Sequence, residues 1–178
     1  AVYSANIIRV RISKQDFTPD HSYAVILQPT ATNIKIWEDN AQINIVTDSL
    51  KARITKSPFS IAFYTPADEL INKDEDGLNT SWVGEEVTTY KTMQPGERFI
   101  GLGEKTVNLD RRGNGYSNWN TDAFGYSTGQ DPIYSSIPFY VGIHDHLNYG
   151  IFLDNSFQSD FNFGASNNRF SSFGARGG

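Results

Sequence analysis

An all-β fold, built as an antiparallel β-sandwich, is what this chain predicts, and three observations carry the prediction. Apolar and polar residues alternate in a series of short runs, so each run has one dry and one wet face. Clusters of Gly, Pro, Asn and Asp punctuate the runs as turns do. Aromatic residues make up 13% of the chain, with 12 Phe and 9 Tyr, and flat rings suit the pleated, half-buried face of a sheet. No window keeps helical spacing over the ~11–18 residues that would make a helix persuasive.

The strands are expected in this order. Residues 7–12 alternate after Ile7-Ile8, and 23–27 form a short apolar run with β-branched members. Residues 33–38 and 42–47 alternate cleanly around Asp39-Asn40-Ala41, which reads as a hairpin turn. The pattern repeats at 51–55 and 60–64 across Lys56-Ser57-Pro58-Phe59. Glu97, after the Pro95-Gly96 turn, opens a strand, and 87–93 is another. Residues 139–144 and 149–153 make a second hairpin through 145–148, and 157–163 and 169–173 complete the series. Between them, 105–136 is polar, Gly-rich and irregular; loops that long are commonly functional or mobile. With 178 residues and 38% hydrophobic content, and no linker, residues 1–178 are expected to form one domain with its own core.

Composition narrows the function. A net charge of −5 with scattered basic residues speaks against a nucleic-acid partner. No apolar run approaches the ~20 residues needed to cross a bilayer, so no membrane partner is expected, and Ala1-Val2-Tyr3 does not open a signal peptide. The compartment is left open. There are no cysteines, which removes disulfides, thiolate metal sites and cysteine nucleophiles together.

Several motifs imitate known sites and fall short. Gly101-Leu102-Gly103-Glu104-Lys105-Thr106 lacks the third Gly of a dinucleotide fingerprint and has Glu104 where a P-loop needs Gly before Lys. Its glycines instead suit a strand end lying close to neighbouring backbone, with Glu104 and Lys105 fixing the loop that follows. Asn72-x-Asp74-x-Asp76-Gly77 starts like a calcium loop, but Val83 stands where the bidentate Glu belongs, so an acidic hairpin turn is expected. His144 and His146 could share a metal only with a third ligand that is not evident, and read as exposed turn histidines. Asn79-Thr80-Ser81 matches a glycosylation triplet that arises readily by chance. No metal and no cofactor is expected. Of the carboxylates Glu97, Glu104, Asp110, Asp122, Asp131 and Asp154, none is assigned a catalytic role.

The ordered blocks Glu97-Arg98-Phe99-Ile100-Gly101-Leu102-Gly103-Glu104-Lys105, Leu109-Asp110-Arg111-Arg112-Gly113, Trp119-Asn120-Thr121-Asp122-Ala123, Asp131-Pro132-Ile133-Tyr134, Ile137-Pro138-Phe139-Tyr140 and Tyr149-Gly150-Ile151-Phe152-Leu153-Asp154-Asn155 resemble the end of the N-terminal β-domain of glycoside hydrolase family 31, the α-glucosidase/α-xylosidase family. The resemblance is clear over about the last eighty residues and looser over the first ninety. It implies a galactose-mutarotase-like supersandwich. It also implies that the catalytic (β/α)8 barrel of the same chain is the partner this domain packs against and carries the catalytic aspartates, and that the barrel lies beyond Gly178. Enzymes of the family cleave α-glycosidic bonds with retention, through a covalent glycosyl-aspartate. The loop with the Trp-Asn-Thr-Asp block implies sugar contact by Asp122 in the intact enzyme, with Tyr134 lining the same entrance to an α-linked oligosaccharide. Arg111 and Arg112 are expected to anchor the loop through carboxylates, and the chain alone is expected to be inactive.

Two other readings are testable against structure. An autonomous carbohydrate-binding module would turn Trp37, Trp82 and Trp119 toward solvent in a planar row, whereas the domain reading buries most of these rings; the alternative to sugar contact by Asp122 is that it caps its own loop with Trp119 packed underneath. A sugar epimerase would need a His and a Glu poised at a substrate, and His21, His144 and His146 lack the surrounding motif.

Overall fold

A computed structural model of the chain describes residues 1–30 and 33–177. It is all-β and entirely antiparallel, as expected. The described residues divide into two compact units, Ala1–Leu70 and Ile71–Gly178. Among them no helix is long and apolar enough to cross a membrane.

In the first unit, β1 (Val2–Ser4) pairs with β2 (Ile7–Ile8). A meander follows: β3 (Lys35–Glu38), β4 (Gln42–Val46), β5 (Lys51–Lys56) and β6 (Phe59–Tyr64). The Asp39 turn forms where expected. Its carboxylate accepts from the amides of Ala41 at 2.7 Å and Gln42 at 2.8 Å, and these bonds hold its pKa below the usual carboxylate value. Ala52 and Ile61 are buried on one face, while Trp37, Asn44 and Arg53 lie in one cross-strand row on the other. Two expected strands differ. Of 7–12 only Ile7–Ile8 is a strand, and 23–27 is not one; Tyr23 and Ile26 are exposed. Alternation makes a run able to pair, but a strand exists only where a second run supplies the ladder. Past Ile8 the ladder stops: Arg9 N still donates to Ala1 O at 2.8 Å, and side chains add pairs such as Arg9–Asp20 at 2.9 Å.

β7 (Leu70–Lys73) begins at the boundary and was not anticipated. The second unit then builds a sandwich of its own. One sheet has the order β10 (Arg98–Gly103), β12 (Ser136–His144), β13 (Leu147–Phe152). The other runs β11 (Gly115–Asn118), β14 (Ser159–Asn162), β15 (Phe170–Ala175), β9 (Glu86–Thr92), β8 (Thr80–Val83). Phe99, Leu102 and Tyr140 of the first sheet meet Tyr116 and Phe161 of the second, with Met93 and Phe163 between them. Phe99 stacks on Phe163 at 4.6 Å, and Tyr140 meets that ring edge-on at 5.0 Å. Each such side chain contributes about 1.5–3 kcal/mol by leaving water, which welds the base of the long loop to a rigid body.

The Gly101–Gly103 turn behaves as its sequence suggests. A Cβ on Gly101 would lie 2.5 Å from the Phe139 carbonyl oxygen and 2.9 Å from Tyr140 Cα, at a φ of +132°. The glycine lets β10 lie against β12 where the register shifts. The acidic segment after Lys73 does turn, with Leu78 and Asn79 amides donating to the Glu75 carbonyl. Asp74 is not a solvated turn residue, however: it is buried and paired with Lys91 at 2.7 Å.

Candidate functional site

The loop between β10 and β12 departs on Lys105. The Lys105 ammonium, with its side chain 2% exposed, pairs with Asp131 near the loop's far end and donates to the Ser117 carbonyl at 2.8 Å. The other Asp131 oxygen accepts from the Ser117 amide at 2.5 Å. One carboxylate and one ammonium thus close both ends of the loop around its only strand, β11. That strand was missed by pattern because its four residues, Gly-Tyr-Ser-Asn, carry one apolar side chain.

Arg111 and Arg112 do anchor the loop, but by backbone carbonyls where carboxylates were expected. Arg111 is buried and donates to Asn108 O at 2.7 Å and Gly101 O at 3.3 Å, and Arg112 donates to Glu97 O. Carbonyls at strand ends lack ladder partners, and the five donors of a guanidinium satisfy several at once. Asp110 completes the lashing by accepting from the amides of Phe99 and Arg112.

The segment 119–123 is held from beneath. Thr121 N donates to Ile133 O at 3.1 Å, Ser136 N to Asn120 Oδ1 at 3.1 Å, and the Tyr134 hydroxyl to Ala123 O at 3.0 Å. Ala123 and Ile133 are buried as the pins of this segment. Asp122, between them, is exposed and makes no hydrogen bond or ion pair with any described residue. It therefore does not cap its own loop. Trp119 is 52% exposed, so it is not the buried ring expected underneath. The structure thus ties Tyr134 to the residue following Asp122.

Two neighbours were not singled out from sequence. Phe124 is 97% exposed, and Tyr126 meets Tyr134 edge-on at 5.9 Å. Their signal was available: aromatic residues in an otherwise polar, Gly-rich stretch have no core to serve. A free carboxylate beside exposed rings can accept from two adjacent hydroxyls while a ring takes up the C–H face of a sugar.

The remaining acidic candidates serve structure. Glu97 is 1% exposed; it accepts from the Tyr149 hydroxyl and the Gln94 amide, each at 2.8 Å. Burial pushes its pKa up against the opposing effect of those bonds. His144 is buried beside Tyr149, not exposed as expected, with Nε2 2.8 Å from Ile71 O; His146 is exposed in the two-residue turn that follows β12. A Glu and a His do occur together here, but sealed from solvent, where they cannot reach a sugar. Tyr140, in the same interior, has its pKa raised by burial and a hydroxyl with no hydrogen bond. Among the described residues no group of three or more His, Asp or Glu could hold a metal ion. The tryptophans also depart from expectation: Trp37 is 52% exposed, as is Trp119, and Trp82 is half-buried.

Comparison with known proteins extends these observations. Residues 1–162 match the model of the glycosyl hydrolase 31 N-terminal galactose mutarotase-like domain. The chain is 28% identical over 179 residues to alpha-glucosidase 2 of Bacillus thermoamyloliquefaciens, covering 99% of this chain and 22% of that protein. It is 37% identical over 90 residues to an alpha-glucosidase of Saccharolobus solfataricus, covering 51% and 13% respectively. A family 31 dextranase of Flavobacterium johnsoniae has a similar fold, with a TM-score of 0.81 and 34% identity over 89% of this chain and 20% of that one. The chain thus spans about a fifth of the length of such relatives.

Proposed function

The chain belongs to the family of glycosyl hydrolase 31 N-terminal galactose mutarotase-like domains, and from that premise we propose that it is the non-catalytic N-terminal domain of a retaining α-glycosidase acting on α-linked oligosaccharides. In this reading residues 1–178 form one domain of the parent enzyme and pack on the catalytic barrel of the same chain. The 105–136 loop contributes to the substrate entrance. The barrel supplies both catalytic aspartates, which retention requires to be a nucleophile and an acid/base about 5–5.5 Å apart.

The observation that carries the reading is Asp122: an exposed carboxylate with no hydrogen-bond or ion-pair partner among the described residues, on a segment whose flanks are pinned by Ile133, Tyr134 and Ser136. A loop held at that many points holds its carboxylate in place before a ligand arrives, so less ordering entropy opposes binding. The Tyr134 ring lines the entrance while its hydroxyl positions Asp122.

The test is kinetic, in the full-length enzyme that carries this domain. Asp122→Ala removes charge-assisted hydrogen bonds of about 1.5–3 kcal/mol, so kcat/KM for isomaltose or maltose is expected to fall by roughly 10–100-fold. An unchanged kcat/KM for both sugars would refute the entrance role. The purified 178-residue chain is expected not to turn over p-nitrophenyl α-glucoside; turnover abolished by a point change within it would overturn the non-catalytic assignment.

A further inference from the structure

The five-stranded sheet of the second unit has a face turned away from its aromatic core, and that face is not flat. Two cross-strand rows run over it. One is Thr88, Gly174, Asp160 and Ser117; the other is Tyr90, Ser172, Asn162 and Gly115. The central strand β15 contributes the small residues Ser172 and Gly174, while taller side chains rise on β9 and β14. The result is a trough of about 560 Å³ along β15, within the range of small-molecule sites.

The lining has a definite chemistry. Asp160 and Arg176 pair at 3.3 Å on one wall. Opposite them, the Glu86 carboxylate, the Thr88 and Tyr90 hydroxyls and, on the floor, the Ser172 hydroxyl make no hydrogen bond with any described residue. The Tyr90 ring is held edge-on by Phe170 at 5.4 Å, which fixes its orientation. Three lining carboxylates, Glu86, Asp131 and Asp160, against the one guanidinium of Arg176 disfavour an anion such as phosphate. A floor of Gly and Ser with polar walls offers an apolar peptide little surface to bury. Closely spaced neutral hydroxyls, an acceptor carboxylate and one oriented ring instead match a neutral ligand with adjacent hydroxyls and a C–H face.

We propose that this trough is a second carbohydrate-binding site, taking two or three pyranose units of an oligosaccharide. It uses β11 at the base of the loop but does not require the 119–123 segment or Asp122 to touch substrate, so it stands or falls separately from the entrance role. It would hold a long glycan at a point other than the entrance.

The experiment is an amide-resolved NMR titration of the ¹⁵N-labelled chain with maltotriose and, separately, isomaltotriose. Saturable shifts centred on Thr88, Asp160, Ser172 and Gly174 with at least one of them are expected, and none with inorganic phosphate. Glu86→Ala, at an exposed position, is expected to weaken binding about tenfold, the loss of one charge-assisted bond. Ser172→Tyr fills the floor and abolishes the shifts, whereas Asp122→Ala leaves them unchanged. Shifts confined to 119–126 would support the entrance loop and refute the trough. Absence of shifts at the trough amides with both sugars, or affinity unaffected by Glu86→Ala, would also overturn the proposal.

Discussion

Removing the carboxylate of Asp131 should unfasten the long loop and destabilise the second unit far more than a surface ion pair would. The Lys105 side chain is 2% exposed and that of Asp131 is 18% exposed, so the pair is largely desolvated. Breaking such a pair leaves an uncompensated buried charge, which costs about 3–5 kcal/mol. Asp131→Ala also deprives the Ser117 amide of its acceptor. The Ser117 carbonyl still accepts from Lys105, which places the expected loss near the lower end, about 3 kcal/mol. For a unit of roughly a hundred residues that lowers the melting midpoint by about 10–20 °C. The assay is urea unfolding followed by Tyr116 and Tyr140 side-chain NMR signals, repeated at ~0.5 M salt, where a buried pair is little screened. Asp131→Leu combined with Lys105→Met should recover most of the loss, because an apolar replacement removes the unpaired charge. A loss below ~1 kcal/mol for Asp131→Ala would match an exposed pair and refute the clamp.

Other consequences follow from single groups. Burial raises the Glu97 pKa in the folded state, so between the ordinary carboxylate value and that raised value the folded chain binds more protons than the unfolded one. Stability contributed by this group must therefore fall as pH rises through the window; thermal midpoints of wild type and Glu97→Gln between about pH 4 and 8 should diverge with that sign, and parallel curves would show otherwise. Gly101→Ala places a Cβ 2.5 Å from Phe139 O and should cost about 3 kcal/mol or more in chemical denaturation. Tyr134→Phe removes the hydroxyl that holds Ala123 O; about 1 kcal/mol is expected, together with faster hydrogen exchange at 119–123 but not at β10.

The hairpin turns were legible because their signals are local. Asp39 bonds amides two and three residues ahead, and Asp145-His146 connects two alternating runs. The 7–12 and 23–27 runs misled for the complementary reason: alternation is a property of one segment, pairing a property of two. Asp122 was legible from its motif, but its freedom from internal partners was not. Whether Phe124 and Trp119 face solvent likewise depends on what the rest of the fold leaves uncovered.

The order of amino acids by itself determined the all-β class, the antiparallel runs from 33 to 64 and the family resemblance, since period-two alternation and turn chemistry act over a few residues. Tertiary structure alone decided the fate of the ionisable groups. Lys105 meets Asp131 across 26 residues and Tyr149 meets Glu97 across 52. Two acidic residues of the same polar loop, Asp131 and Asp122, end as a largely covered clamp and an exposed carboxylate with no partner among the described residues. Burial and partnership arise when sheets close on each other, and no local pattern encodes which distant side chain will be waiting there.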